Sequence, residues 1–243
     1  AVYNINAVTI PFLVNNTYNL ENFSGNLQFY PNMRFPGKKM SYNIDAGCDS
    51  GKENNMIEAF NILSNMTGLV SFVKADAANA EISISCKNIE IKTKPRDKYY
   101  IAGEGGPTTV INVSSFYVIK KGEILLTYIN SNCDYPVVEL HELLHVFGFD
   151  HSPAPEESIM YPTSSCNERI TPEITAELKR LYSIQELPDL YFLNISAIKH
   201  GRYLDFEVNI RNRGLNIARN ISLNLYSQDS LITSYNLGDI DYG

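Results

Sequence analysis

Apolar residues recur along this chain with two periods, and each period predicts a different element. From Glu53 to Gly68 they return every three to four positions, which predicts a helix that Gly68 can end. A second helix is predicted at Pro172–Ser183, after a candidate cap at Thr171. Strict alternation of apolar and polar residues predicts half-buried strands. These strands are Glu81–Ser85, Tyr203–Ile210 and Ile221–Tyr226.

The middle of the chain is rich in β-branched residues. We expect strands at Thr109–Ile119 and Glu123–Ile129, with a turn at Lys120–Gly122 between them. Gly103–Gly106 is expected to be a flexible loop, because four small or charged residues there show no period. It could line a calcium site, but the usual carboxylate pattern is missing, so calcium is unsupported.

A break at Leu187–Asp189 separates two kinds of pattern. Helices and strands are mixed before it, whereas only strands are predicted after it, with a turn at Arg211–Gly214. We therefore predict an α+β domain over residues 1–186 and an all-β module over 187–243. The 57 residues after Glu186 suffice for about four strands.

Composition excludes several classes of partner. The net charge of −7 argues against nucleic acids and anionic membranes. No apolar run reaches the 18 residues or so that a bilayer requires, so we expect no membrane span. The chain begins with Ala and without a basic, apolar signal, which suggests that an upstream part has been removed.

Residues 141–151 read HELLHVFGFDH and carry three of the four histidines. His141 and His145 are four apart, so a helix projects both imidazoles from one face. Gly148 can end that helix, and the returning chain can bring His151 to the same point. Three nitrogen ligands leave one tetrahedral position open, which is typical of a catalytic zinc site.

Glu142 follows the first ligand and is expected to act beside the metal. Zinc activates water, and Glu142 would take the proton of that water and pass it to a leaving amine. The helix itself is expected to begin near Asp134 as N-cap, with Pro136 in its first turn.

Ser158–Pro162, together with the FDHS sequence around His151, resembles the Met-turn region of metzincin peptidases, and most closely that of matrixins. This resemblance implies a zincin-like core of about residues 40–183, with a twisted mixed sheet, an active-site helix and a backing helix, after an N-terminal extension of residues 1–39. It implies one Zn²⁺ and a peptide or protein substrate. Met160 would form a hydrophobic floor beneath the ligands. Tyr161 and Pro162 would form a wall of the substrate pocket.

The resemblance also places Tyr42–Ile44 as the first strand and suggests that an extended peptide pairs with an edge strand, for which Thr109–Ile119 is the candidate. The expected function is a zinc metalloendopeptidase. Two alternatives are a catalytically silent adhesion protein that retains the zinc fold, and a zinc aminopeptidase or cell-wall peptide hydrolase. The presence of Glu142 favours an active enzyme over a silent one.

Four cysteines lie in the first domain without a C-x-x-C pair, which favours disulfides over a second metal site. Three pairings exist, and we favour Cys48–Cys86 with Cys133–Cys166; four free thiols in a cytosolic protein would be the alternative. Six N-x-S/T sequons also favour export and glycosylation. They are at Asn15, Asn22, Asn65, Asn112, Asn194 and Asn220. We therefore expect an extracellular protein, secreted or attached to a cell surface.

Residues 187–243, with Pro-Asp-Leu at the start and Asn-Arg-Gly in the middle, resemble CARDB-type modules of cell-surface proteins. The resemblance implies an immunoglobulin-like segment, here a partial one, and a partner at the cell surface.

Overall fold

The computed structural model of the chain describes residues 27–88, 102–113, 115–128, 133–163, 165–227 and 229–243. Its contacts divide the chain into two compact units. The larger unit holds the described residues of Glu21–Asn112 and Phe116–Gln185, and the smaller unit holds Val113, Ser115 and the described residues of Glu186–Gly243. No helix in these described ranges is both long enough and apolar enough to cross a bilayer.

The larger unit is built on a sheet of six strands, and this sheet is mixed, as the matrixin resemblance implies. Its strands are β1 (Met33–Arg34), β2 (Lys39–Ile44), β3 (Ser71–Lys74), β4 (Ile82–Lys87), β5 (Gly103–Asn112) and β6 (Tyr117–Thr127). The order β1-β6-β4-β2-β3 is parallel throughout. Strand β5 pairs antiparallel with β6 and with no other described strand, so it forms an edge of the sheet.

Three helices accompany this sheet. They are α1 (Ser50–Thr67), α2 (Val137–Val146) and α3 (Pro172–Ser183). Helix α1 begins three residues before the predicted start, because the Asp49 carboxylate accepts a hydrogen bond from the Lys52 N–H at 2.9 Å and caps it. Gly68 ends α1 in the left-handed conformation at φ 65°, and the Thr171 side chain caps α3, as predicted.

The core of the larger unit fills the space between the sheet and the helices. Apolar side chains from one face of α1 and one face of α3 are fully buried there with those of the central strands. They include Met56, Phe60, Leu63, Leu178, Leu181, Ile82 and Ile84. The helical and alternating patterns of the sequence therefore mark the core faces correctly.

Helix α2 is buried on every side, and all ten of its residues are enclosed. The prediction that Asp134 caps it is wrong: the N-cap is Pro136, and no side chain provides a cap hydrogen bond. Burial of the whole helix explains this, because packing rather than a local cap stabilises it.

Two segments predicted to be a turn and a loop are parts of strands, because glycines in each lie where the sheet closely approaches helix α2. Lys120–Gly122 lies inside β6, and Gly103–Gly106 begins β5. At Gly122 a Cβ atom would lie 2.5 Å from Cγ1 of Val146 on α2, so this glycine marks a close approach of helix and sheet. The candidate edge strand at Thr109–Ile119 is correct only in part, since its first four residues end the edge strand β5 and its last three begin the internal strand β6.

Two disulfides join Cys48 to Cys86 and Cys133 to Cys166. These are the pairs favoured from the sequence. The first ties the segment before α1 to the end of β4, and the second ties the segment before α2 to the chain beyond Met160. No cysteine is free.

The smaller unit consists of two antiparallel hairpins. Its strands are β7 (Leu190–His200), β8 (Tyr203–Asn212), β9 (Ala218–Ser227) and β10 (Ser230–Ile240), paired β7 with β8 and β9 with β10. The predicted strands and their alternation are confirmed, although β8 continues through Arg211 and Asn212 of the predicted turn. The buried Asn212 amide links the segments of this unit, since it accepts from the N–H groups of Asp189 and Gly214 and donates to the carbonyls of Asn216 and Ile240.

Candidate metal centre

Helix α2 and the turn after it bring three imidazoles together. His141 and His145 lie one helical turn apart on α2. Gly148 then takes φ +87°, and a Cβ there would lie 2.6 Å from the Met33 side chain, so both the conformation and the space call for glycine. The chain reverses beyond Gly148, and His151 faces the two helical ligands.

The three Nε2 atoms form a compact triangle. They are 3.0 Å apart between His141 and His145, and 3.2 Å from His151 to each of the others. Among the residues that the structure describes, this is the one group of three or more candidate ligands that could share a metal ion. The pattern H-E-x-x-H-x-x-G-x-x-H therefore folds as expected.

The other ring nitrogens orient the triad for a cation. Nδ1 of His141 lies 2.6 Å from the Ile159 carbonyl oxygen, and Nδ1 of His145 lies 2.7 Å from that of Phe149. Each Nδ1 must therefore carry the proton and donate it, which leaves the Nε2 lone pairs of both rings directed at the centre. Facing lone pairs repel unless a cation lies between them.

Zinc fits this arrangement. Zn–N bonds of about 2.0–2.1 Å in tetrahedral geometry separate ligand nitrogens by about 3.3–3.4 Å, close to the distances observed. Burial and the neighbouring His145 lower the pKa of His141 to about 4, and burial also lowers the pKa of His145. Both rings are thus neutral at pH 7, as metal ligands must be.

Glu142 lies beside the triad and is 6% exposed. Burial raises the pKa of its carboxyl to about 8, with further contributions from the negative charges of Glu104 and Glu139. The Gly105 N–H opposes this shift by donating a hydrogen bond to the carboxylate. A divalent cation at the triad would favour the ionised form in the same way.

The segment around Met160 holds the ligand residues through backbone hydrogen bonds. Met160 is 1% exposed, and its carbonyl accepts a hydrogen bond of 2.8 Å from the Ser152 N–H, next to the third ligand. The preceding residue, Ile159, provides the carbonyl that orients His141. Tyr161 is half-buried and Pro162 is exposed directly after it, so their role as a pocket wall stays a prediction.

Sequence reasoning missed a contact from the predicted N-terminal extension. The Phe29 ring stacks on His145 with a centroid distance of 5.8 Å. The Phe29 N–H donates to the Gly148 carbonyl, and the Asp150 N–H donates to that of Leu27, so this segment braces the turn that carries the third ligand. No local signal reveals this pairing, because the two partners lie about 120 residues apart in the sequence.

Comparison with known proteins agrees with this site. The family model described as Matrixin matches residues 34–186, more than half of the chain. The chain belongs to the matrixin family. Its fold and histidine triad are those of a zinc metalloendopeptidase.

One solved structure with similarity to this chain is high choriolytic enzyme 1, a hatching enzyme zinc-protease from Oryzias latipes, the medaka fish. The two chains share 19% identity over 48% of this chain and 46% of that chain, with a TM-score of 0.31. The similarity thus spans about half the length of the medaka protein. No match is found among curated proteins.

Proposed function

We propose that this protein hydrolyses internal peptide bonds of extracellular proteins, with Glu142 as the general base. The observation that carries the proposal is the triangle of Nε2 atoms 3.0–3.2 Å apart, with the buried Glu142 carboxylate adjacent in the sequence. His141, His145 and His151 would hold the metal. When bound, zinc supplies Lewis-acid chemistry: it polarises the scissile carbonyl and lowers the pKa of water.

Glu142 performs the proton transfers. One carboxylate oxygen accepts the proton of the attacking water, and the protonated carboxyl then donates it to the leaving amine nitrogen, so the base is regenerated as the peptide bond breaks. Its burial beside β5 keeps competing water away from the carboxylate. Met160 forms the apolar floor under the ligand rings, and Tyr161 and Pro162 line the substrate pocket.

We also propose that residues 1–186 form the peptidase domain and that residues 187–243 form a partial immunoglobulin-like, CARDB-type module with a partner at the cell surface. The two hairpins of the smaller unit and their alternating strands support this. Extracellular location is supported by the two disulfides. Four sequon asparagines in the described ranges are exposed, as glycosylation requires. They are Asn65, Asn112, Asn194 and Asn220.

The test compares Glu142→Ala with the unaltered chain on denatured casein or gelatin. Glu142→Ala should retain one zinc per chain but lose turnover by several orders of magnitude, because base and metal act as a unit. Glu123→Gln, an exposed acid on β6, is the matched control and should keep turnover. Full activity in Glu142→Ala would rule out this residue as base. Activity that survives 1,10-phenanthroline and complete metal removal would exclude the metal mechanism.

A further inference from the structure

Two glycines of β5 face the Glu142 side chain. Gly103 and Gly105 are two positions apart in the strand, so they present the same face of the sheet. That face lies against α2 at Glu142. Neither glycine has a positive φ, so the backbone conformation does not require glycine at these positions.

The space between strand and helix does require it. A Cβ atom on Gly103 would lie 2.8 Å from Cγ of Glu142 and 2.9 Å from its Oε1. A Cβ on Gly105 would lie 2.5 Å from the Glu142 carbonyl oxygen and 2.9 Å from its Cα. Real Cβ atoms do not approach other atoms so closely, and glycine otherwise weakens the interior of a strand.

A neighbouring glycine serves as an internal comparison. Gly106 is in the same strand on the opposite face, and a Cβ there would have no atom within 4 Å. Close approach is therefore a property of the face toward Glu142 and does not extend to the whole glycine-rich stretch. We call the pair Gly103 and Gly105 the glycine slot.

The absent side chain at Gly103 leaves room for Cγ and Oε1 of Glu142, and the absent side chain at Gly105 lets the strand approach the Glu142 backbone.

We infer that Gly103 and Gly105 are positioning residues for the general base: the glycine slot holds the Glu142 carboxylate in a single orientation. This inference rests on the proposed function of Glu142. The Glu142 carboxylate is then oriented before the substrate binds, and this raises turnover without adding contacts to the substrate.

The experiment is a cycle of alanine substitutions, Gly103→Ala and Glu142→Ala alone and together, with Gly106→Ala as the matched control. Zinc content, melting temperature, kcat and KM on a fluorogenic peptide are measured for each. We expect Gly103→Ala to bind one zinc, to lower kcat about 10- to 100-fold and to change KM by less than about threefold, because a displacement of about 1 Å can cost that much. Gly106→Ala should stay within about twofold of the unaltered enzyme.

Combination with Glu142→Ala provides the decisive readout. Glu142→Ala removes Cγ and the carboxylate, so Gly103→Ala should have no further effect on kcat and should no longer lower the melting temperature. If Gly103→Ala alone does not fold, it should fold in the Glu142→Ala background. A folded, zinc-loaded Gly103→Ala with unchanged kcat overturns the inference, as does equal destabilisation in both backgrounds.

These outcomes separate the inference from the proposed function. Full activity in Glu142→Ala alone contradicts the role of Glu142 as base. Loss of activity in Glu142→Ala, with normal kcat in Gly103→Ala, contradicts only the role of the slot.

Discussion

The Lys52 ammonium on α1 lies 3.1 Å from the Glu139 carboxylate on α2, and the two side chains are 3% and 0% exposed. The pair joins α1 to α2, and Glu139 lies three positions before Glu142 on α2. The second carboxylate oxygen of Glu139 has no hydrogen-bond partner among the described residues. An ion pair enclosed in this way is costly to break from one side, since the remaining charge stays buried.

We predict that Lys52→Met lowers the free energy of unfolding by about 3–5 kcal/mol, because it leaves the Glu139 carboxylate buried and unpaired. The double variant Lys52→Met/Glu139→Leu should recover most of this loss, since both charges are gone. Urea denaturation with the disulfides intact measures both values. A double variant as unstable as the single one would mean that packing rather than charge is responsible.

Metal removal should destabilise the larger unit as well as inactivate it. A ligand present at about a thousand times its Kd stabilises the folded state by about 4 kcal/mol, and zinc binds only the converged triad. Melting with and without chelator should therefore differ by roughly 8–16 °C. The difference should vanish in His145→Ala and persist in His200→Ala, whose histidine belongs to the smaller unit. Equal melting temperatures with and without metal in the unaltered chain would contradict this.

Met160 offers a test of the hydrophobic floor. Met160→Ala should cost about 2–5 kcal/mol of stability, because it replaces a fully buried side chain by a cavity, whereas Met160→Leu should cost less than about 1.5 kcal/mol. We expect Met160→Ala also to release zinc more readily, as measured by competition with a chromogenic chelator. Zinc affinity equal to that of the unaltered chain, despite lower stability, would reduce Met160 to a packing role.

Glu168 should make stability depend on pH. Its side chain is buried, one oxygen accepts from the Ser165 N–H at 2.8 Å, and the other has no partner in the described structure. Burial raises its pKa from 4.5 to about 7, against the opposing effect of the Ser165 N–H. The folded state therefore holds the proton more tightly than the unfolded state, and its stabilising contribution is complete below about pH 4.5 and lost as pH rises through 7.

The matched variant is Glu168→Gln, which keeps the shape and cannot ionise. Between pH 4 and pH 8, its free energy of unfolding should rise by about 1–3 kcal/mol relative to that of the unaltered chain. The difference in unfolding free energy between the two proteins is measured by urea denaturation across that range, so other titrating groups cancel. A difference that stays constant would contradict a buried, neutral Glu168.

The zinc ligands could be predicted from the sequence because their geometry is local. Helical spacing puts His141 and His145 on one face, and Gly148 permits the reversal that returns His151. The cap at Thr171 and the end of α1 at Gly68 follow from equally local rules. Each depends on residues within about ten positions of one another.

The errors concern residues whose neighbours are distant in the sequence. Gly122 looks like part of a turn and is instead the point where Val146 meets the sheet. The glycines of β5 look like a loop for the same reason, and Asp134 looks like a cap for a helix that burial stabilises without one.

Sequence alone therefore determined which residues can bind the metal and where most helices and strands run, because periodicity and spacing act over a few residues. The tertiary structure alone decided what surrounds them: the carbonyl of Ile159 behind His141, Phe29 on His145, Lys52 against Glu139, and β5 beside Glu142. These contacts join segments up to about 120 residues apart, and only packing of the whole unit brings such segments within bonding distance.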